Sequence, residues 1–175
     1  ATRGTGPAQP PPVLVSGGDC AGAVPFRYRF GTPCPCGASG GPGEGCMNTT
    51  TTMGATLAGS GEASLTNDSF QLDVAGVPGN KPGLIVLGAN QLNGGLGNPV
   101  GDGLLCVGGQ TARSQVQASA AGFTTFADFQ GQPFGASSYG PGVPTNYQYW
   151  YRDTANTCSG SGFNFSNAWT TTWLP

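Results

Sequence analysis

Apolar and polar positions alternate with a period of two in several short runs. That spacing puts successive side chains on opposite faces of a β-strand. The clearest run is Tyr147 to Arg152: Tyr147, Tyr149 and Tyr151 share one face, and Gln148, Trp150 and Arg152 share the other. Phe70, Leu72 and Val74 alternate with Gln71 and Asp73, and Trp169, Thr171 and Trp173 alternate near the end of the chain. Phe26, Tyr28 and Phe30 alternate with Arg27 and Arg29. Two runs are continuous rather than alternating. Leu84 to Leu87 reads as a central strand buried on both faces, and Leu104 to Val107 as a short core strand. A weaker strand is expected around Val116, between Arg113 and Ala118. Phe123, Phe126 and Phe129 fall at helical spacing but are flanked by Gly122 and Gly131, which favours a bent strand and leaves a short helix as the alternative. Turn signals recur every ~8–12 residues, and no long helical period is present. The pattern predicts an all-β fold: an antiparallel two-sheet β-sandwich, Ig-like or jelly-roll-like, with long Gly-rich loops and disulfides.

The strands are distributed unevenly. Residues 1–31 open with ATRGTGPAQPPP, a Pro-rich arm that favours extended backbone and denies it donors. Val13-Leu14-Val15 follows as a short apolar run, and Gly17 to Cys20 as a turn. Residues 32–175 form the predicted sandwich domain. Its first stretch, to residue 54, is rich in glycine and cysteine and has few side chains to pack, so disulfides must hold it. Within it, Thr49 to Thr52 is a β-favouring run, and Gly88 to Gly103 reads as a further Gly/Asn-rich loop.

Composition narrows the class. The 175 residues suit one domain with an extension. Charged residues make up 8% of the chain, against about 25% in an average soluble domain. Six basic and eight acidic residues give a net charge of −2, and the arginines are scattered, which excludes a nucleic-acid footprint. Aromatic residues reach 10%, so the 32 glycines and 15 prolines signal turns rather than disorder. Six cysteines occur with no histidine, and Cys34-Pro-Cys36 lacks zinc-knuckle spacing, so disulfides fit better than a metal. Disulfides place the chain outside the cytoplasm, secreted or at the cell surface. No run approaches the ~20 apolar residues of a membrane helix. Ala1 fits a mature end left by cleavage after small residues.

Several segments in order carry a resemblance: Cys34-Pro-Cys36-Gly37, Gly45-Cys46-Met47-Asn48, Gly101-Asp102-Gly103-Leu104-Leu105-Cys106-Val107-Gly108-Gly109, Tyr147 to Asp153, Cys158, and Gly162-Phe163-Asn164-Phe165-Ser166-Asn167-Ala168. Over about residues 32–175 the chain resembles a β-rich module found at the C-terminal ends of large secreted proteins of environmental bacteria. The resemblance implies a two-sheet sandwich and carries no catalytic residues. It assigns Cys34, Cys36, Cys46, Cys106 and Cys158 to the module, with Cys20 of the arm completing an even count. Of the fifteen possible pairings, the preferred set is Cys106–Cys158, Cys36–Cys46 and Cys20–Cys34.

Catalytic chemistry finds little to work with. The absence of histidine removes Ser-His-Asp and Cys-His arrangements. The acids, Asp19, Glu44, Glu62, Asp68, Asp73, Asp102, Asp128 and Asp153, are isolated in sequence and show no glycosidase-like pairing. Gly94 to Gly103 lacks the Lys-Ser/Thr of a phosphate loop and holds one acid, Asp102, which leaves calcium ligation by Asp102 and backbone carbonyls as a minor reading. No cofactor is implied. Asn48, Asn67 and Asn164 open glycosylation sequons, and Thr49, Thr50, Thr51 and Thr52 are candidates for O-linked sugar.

These readings predict a non-enzymatic extracellular structural protein whose partners are copies of itself. It would be a self-assembling subunit of a surface filament or matrix. The arm would donate a strand to a neighbour, with Val13, Leu14, Val15, Phe26, Tyr28 and Phe30 as the candidate assembly strand. Residues 13–30 folding back as an edge strand of their own domain is the competing arrangement. The alternative function is a carbohydrate-binding or adhesion module, in which Tyr147, Tyr149, Tyr151, Trp150, Trp169 and Trp173 stack on sugar rings.

Overall fold

The computed structural model describes residues 15–16, 21–22, 32–129, 140–155 and 158–175. The described strands are β1 (Val15–Ser16), β2 (Ala21–Gly22), β3 (Thr56–Ser60), β4 (Gln71–Ala75), β5 (Pro82–Gln91) and β6 (Asn98–Val100). They continue with β7 (Gly103–Leu105), β8 (Val107–Arg113), β9 (Gln117–Ala118), β10 (Phe123–Phe126), β11 (Pro144–Arg152) and β12 (Phe163–Thr172). Two short 3₁₀ turns, Pro35–Gly37 and Leu92–Gly95, are the helical elements among the described residues. Every strand ladder is antiparallel. The protein is all-β, as the alternation predicts.

Two sheets face each other. The smaller has the order β10-β4-β3, and the larger β12-β11-β5-β8, with β9 continuing the β8 edge by pairing with the start of β5. Register decides which side chains meet. Tyr147 lies opposite Leu87 and Tyr149 opposite Ile85, so the tyrosines and these aliphatics share the inner face of the larger sheet. They pack on Leu57, Leu72, Val74 and Phe126 of the smaller sheet. Phe70 knits the aromatic centre, with its ring 5.2 Å from Phe129, 5.7 Å from Tyr147 and 5.9 Å from Trp173. The Trp173 Nε1–H donates to the Tyr147 hydroxyl at 2.7 Å, so neither polar tip is stranded. Each aliphatic or Phe side chain buried here contributes about 1.5–3 kcal/mol.

A single asparagine ties the sheets together. The Asn167 Nδ2 donates to the Leu57 carbonyl at 3.0 Å, while its Oδ1 accepts the Leu57 N–H at 2.6 Å. The amide therefore stands in for a missing ladder rung between β12 and β3. On the opposite, outer face of the larger sheet lies a second small core of Cys34, Cys46, Leu104, Cys106, Val107 and Ala168. One end of the molecule thus has three layers.

Some expected elements take other forms. Leu84 to Leu87 is central, but Ile85 and Leu87 are buried while Leu84 and Val86 on the outer face are half-covered. The predicted loop from Gly88 to Gly103 is largely ordered, since β5 runs on to Gln91 and β6 to β7 form a hairpin turning at Gly101-Asp102. Thr49 to Thr52 forms a turn rather than a strand, capped by Asn48. Val116 lies outside both β8 and β9 and is 61% exposed. The cause is Ser114, whose N–H donates to the Ile85 carbonyl and whose hydroxyl accepts the Ile85 N–H, each at 2.9 Å, which bulges the following residues out. The bent-strand reading of the three phenylalanines holds for Phe123 to Phe126: Phe126 and Phe129 enter the core and Phe123 stays exposed.

Candidate functional site

The cysteine framework fixes the loop that roofs the outer face. Cys34 and Cys46 form a disulfide with Cα atoms 5.7 Å apart, closing a separation of 12 residues. This corrects the expected Cys36–Cys46 and Cys20–Cys34 pairs. Cys34 immediately precedes the 3₁₀ turn at Pro35–Gly37 and is buried in the small core beside Cys46. Cys106 and Cys158 are each disulfide-bonded too. Cys20 and the side chain of Cys36 lie outside the described residues.

The roof is held by polar side chains rather than by apolar packing. Gln148 is fully buried; its Nδ-equivalent amide nitrogen, Nε2, donates to the carbonyls of Leu104 and Ser166, both at 2.8 Å. The Asn164 Nδ2 donates to the carbonyls of Cys46 and Met47 at 3.3 and 3.0 Å. The Glu44 carboxylate accepts the N–H groups of Gly41 and Gly54, both at 2.9 Å. At Gly45 the loop presses on β12 so closely that any Cβ would collide with the Phe165 carbonyl.

The sequon asparagines separate by environment. Asn48 is buried, donates to the Gly76 carbonyl at 2.6 Å, and accepts from the N–H groups of Thr50 and Thr51. Asn164 is fully buried and engaged as described. A glycan on either would break these bonds in the folded chain. Asn67 is exposed. Among the threonines, Thr49 is bonded through its N–H and hydroxyl to the Asp153 carboxylate, Thr51 bonds Asn48 through its hydroxyl, and Thr50 and Thr52 are exposed.

The acids are spread over the fold. Asp153 serves Thr49, Asp73 accepts the Thr125 hydroxyl at 2.6 Å, and Asp102 accepts the Ser159 N–H at 2.8 Å. Among the described residues no three His, Cys, Asp or Glu side chains converge as a metal site would require. Burial pushes the Tyr149 hydroxyl up from its ordinary value of 10.0 to about 12. The Tyr151 hydroxyl is raised further, first by burial and then by the Asp153 carboxylate. Both rings are core residues with neutral phenols. Tyr147, Tyr149, Tyr151, Trp169 and Trp173 are all buried, so the sugar-stacking face is reduced to Trp150.

Two surface features remain, both on the larger sheet. The first is its β8 edge. β8 is the last strand in the sheet order, and Gly109, Gln110 and Thr111 are exposed. The second is a groove of about 380 Å³ across the outer face. Leu84, Val86 and Trp150 line it from the sheet, and Phe163 and Phe165 from β12. Val100, Leu105 and Val107 line it from the hairpin side, with Thr111 and Arg113 from β8. Periodicity marks Gln148 as a solvent-facing residue and gives no sign of the roof above it, so neither the polar clamps nor the groove was legible in the sequence.

Of the candidate assembly strand, Val15 is described in backbone only, paired in β1 with Gly22 of β2. Val13, Leu14, Phe26, Tyr28 and Phe30 lie outside the described residues. Among the described residues no helix is long and apolar enough to cross a membrane. Comparison with protein-family models, curated proteins and solved structures finds no match to this chain.

Proposed function

We propose that the chain is a non-enzymatic structural subunit of an extracellular filament or matrix at the cell surface. One copy adds a strand from its residues 1–31 to the sheet of the next. The observation that carries this reading is the β8 edge: among the described residues no strand pairs with its outer side, and Gly109 to Thr111 are exposed. A terminal strand presents backbone donors and acceptors on its outer side, a template for pairing with another chain. The opposite edge is less available: β12 is buried from Asn164 to Trp169 and reaches β3 through Asn167. Gly109 has φ +84° and the β5–β8 register shifts between Gly88 and Asn90, which confines a regular acceptor to the stretch after Gly109. The run Val13-Leu14-Val15 suits that stretch better than Phe26 to Phe30, because Arg27 and Arg29 would approach Arg113, and donation requires Val15 to leave its pairing with Gly22. Low charge elsewhere opposes close packing of copies only weakly. The oxidised Cys34–Cys46 pair supports an oxidising, exported setting.

Electron microscopy and sedimentation of the full chain against a chain lacking residues 1–31 test the reading. Ordered fibres from the full chain and monomers from the shortened one are expected. Monomers from both, or fibres unaffected by the deletion, would overturn it.

A further inference from the structure

We infer that the outer groove is a binding site for an alkyl carboxylate, a medium-chain fatty acid. The groove begins where the roof stops: Gln148 anchors the covered part of the outer face, and Val86 and Leu84, next along the neighbouring strand, line the open part. Its volume of about 380 Å³ falls within the ~300–1,000 Å³ of small-molecule sites.

Its chemistry selects the body of the ligand. The lining is hydrocarbon and aromatic ring except for Thr111 and Arg113. A sugar needs several directed hydrogen bonds, and this surface supplies few. An acyl chain needs none and gains from leaving water.

Charge selects the head. Arg113 is exposed at the β8 end, and the Arg152 guanidinium lies 5.4 Å above the Trp150 ring. Among the described residues no acidic side chain lines the groove. An apolar trough with a cation at its end fits an anion whose carboxylate pairs with the planar guanidinium. The same two arginines oppose the other occupants this chain offers. The aromatic stretch Phe26 to Phe30 carries Arg27 and Arg29, and a second copy would bring an identical cationic rim. The inference uses the side chains on the face of the sheet and the assembly reading the backbone edge of β8, though Thr111 and Arg113 belong to that same strand.

The test titrates the full chain with decanoate below its aggregation concentration, reading the emission of Trp150 at the groove. Saturable binding is expected. Arg113→Ala should weaken it about tenfold, the loss of one charge-assisted hydrogen bond. Arg113→Lys keeps the charge but not the planar fork, so its affinity should fall between that of the unaltered chain and Arg113→Ala, and circular dichroism should show both variants folded. Leu84→Trp, which fills the trough, provides a second variant and should abolish binding. Decyltrimethylammonium, with the same tail and opposite charge, should not compete. Absence of saturation, equal affinity in Arg113→Ala, or competition by the cation would each overturn the assignment.

Discussion

The Gln148 Oε1 accepts the backbone N–H of Cys106 at 2.9 Å, across 42 positions of sequence. One side chain on β11 thereby fixes the residue that joins the β6–β7 hairpin to β8. With its two donated bonds to Leu104 and Ser166, the amide is fully used inside the protein. Replacing Gln148 by Leu keeps the volume but strands one N–H and two carbonyls. We expect a loss of about 2–4 kcal/mol in chemical denaturation. A loss below about 1 kcal/mol would mean that water reaches these groups.

The Cys34–Cys46 bridge acts on the same roof from the loop side. Proteolysis under non-reducing conditions should yield a fragment linking these two cysteines; a Cys36–Cys46 fragment would contradict the fold. Replacing both by Ser should cost about 2–4 kcal/mol, mainly by freeing the unfolded loop.

Alkaline pH should unfold the protein through its buried phenols. The folded Tyr149 hydroxyl is held at about 12 against an ordinary 10.0, so the unfolded chain releases this proton first. Stability from the neutral phenol is full below pH 10 and falls as pH rises toward 12. Tyr151 acts in the same direction. Of the five tyrosines, these two should form tyrosinate only as the fold is lost. The check is ultraviolet absorbance followed beside circular dichroism. Free titration of all five near their ordinary value, with the fold intact, would count against the packing.

Glycan mapping distinguishes the sequons. Sugar on native folded material is expected at Asn67 and not at Asn48 or Asn164. Occupancy at either buried position, in protein that retains its near-ultraviolet signal, would contradict the hydrogen bonds assigned there. Asn48→Ala should itself cost about 1–3 kcal/mol, since it strips the Thr50 and Thr51 N–H groups of their acceptor.

The strands were legible where alternation is strict. In Tyr147 to Arg152 the tyrosine face is the core face, because every second side chain must meet the facing sheet. The other face was not legible. Periodicity says only that Gln148 points away from the tyrosines, and the roof that covers it comes from residues 32–48 and 104–107, far away in sequence. Ser114 escaped for a related reason: a serine that substitutes for ladder geometry looks like any turn residue. The cysteine partners were not legible because Cys34 and Cys36 are separated by one proline, and no local pattern says which of two such near neighbours enters the small core beside Cys46. The candidate groove depends on where the roof ends, which no local pattern encodes.

β11 is flanked by β12 and β5 and sandwiched between an aromatic layer below and an amide-bonded cover above along part of its length. Its central peptide protons are therefore shut away from solvent in every direction at once. In deuterated buffer the amides near Tyr147 to Tyr149 should be the last to exchange, released only by global opening. Those of β8, about 10 Å away across β5, should exchange early through local fraying. The same sheet thus carries the most permanent and one of the most labile parts of the molecule, two strands apart.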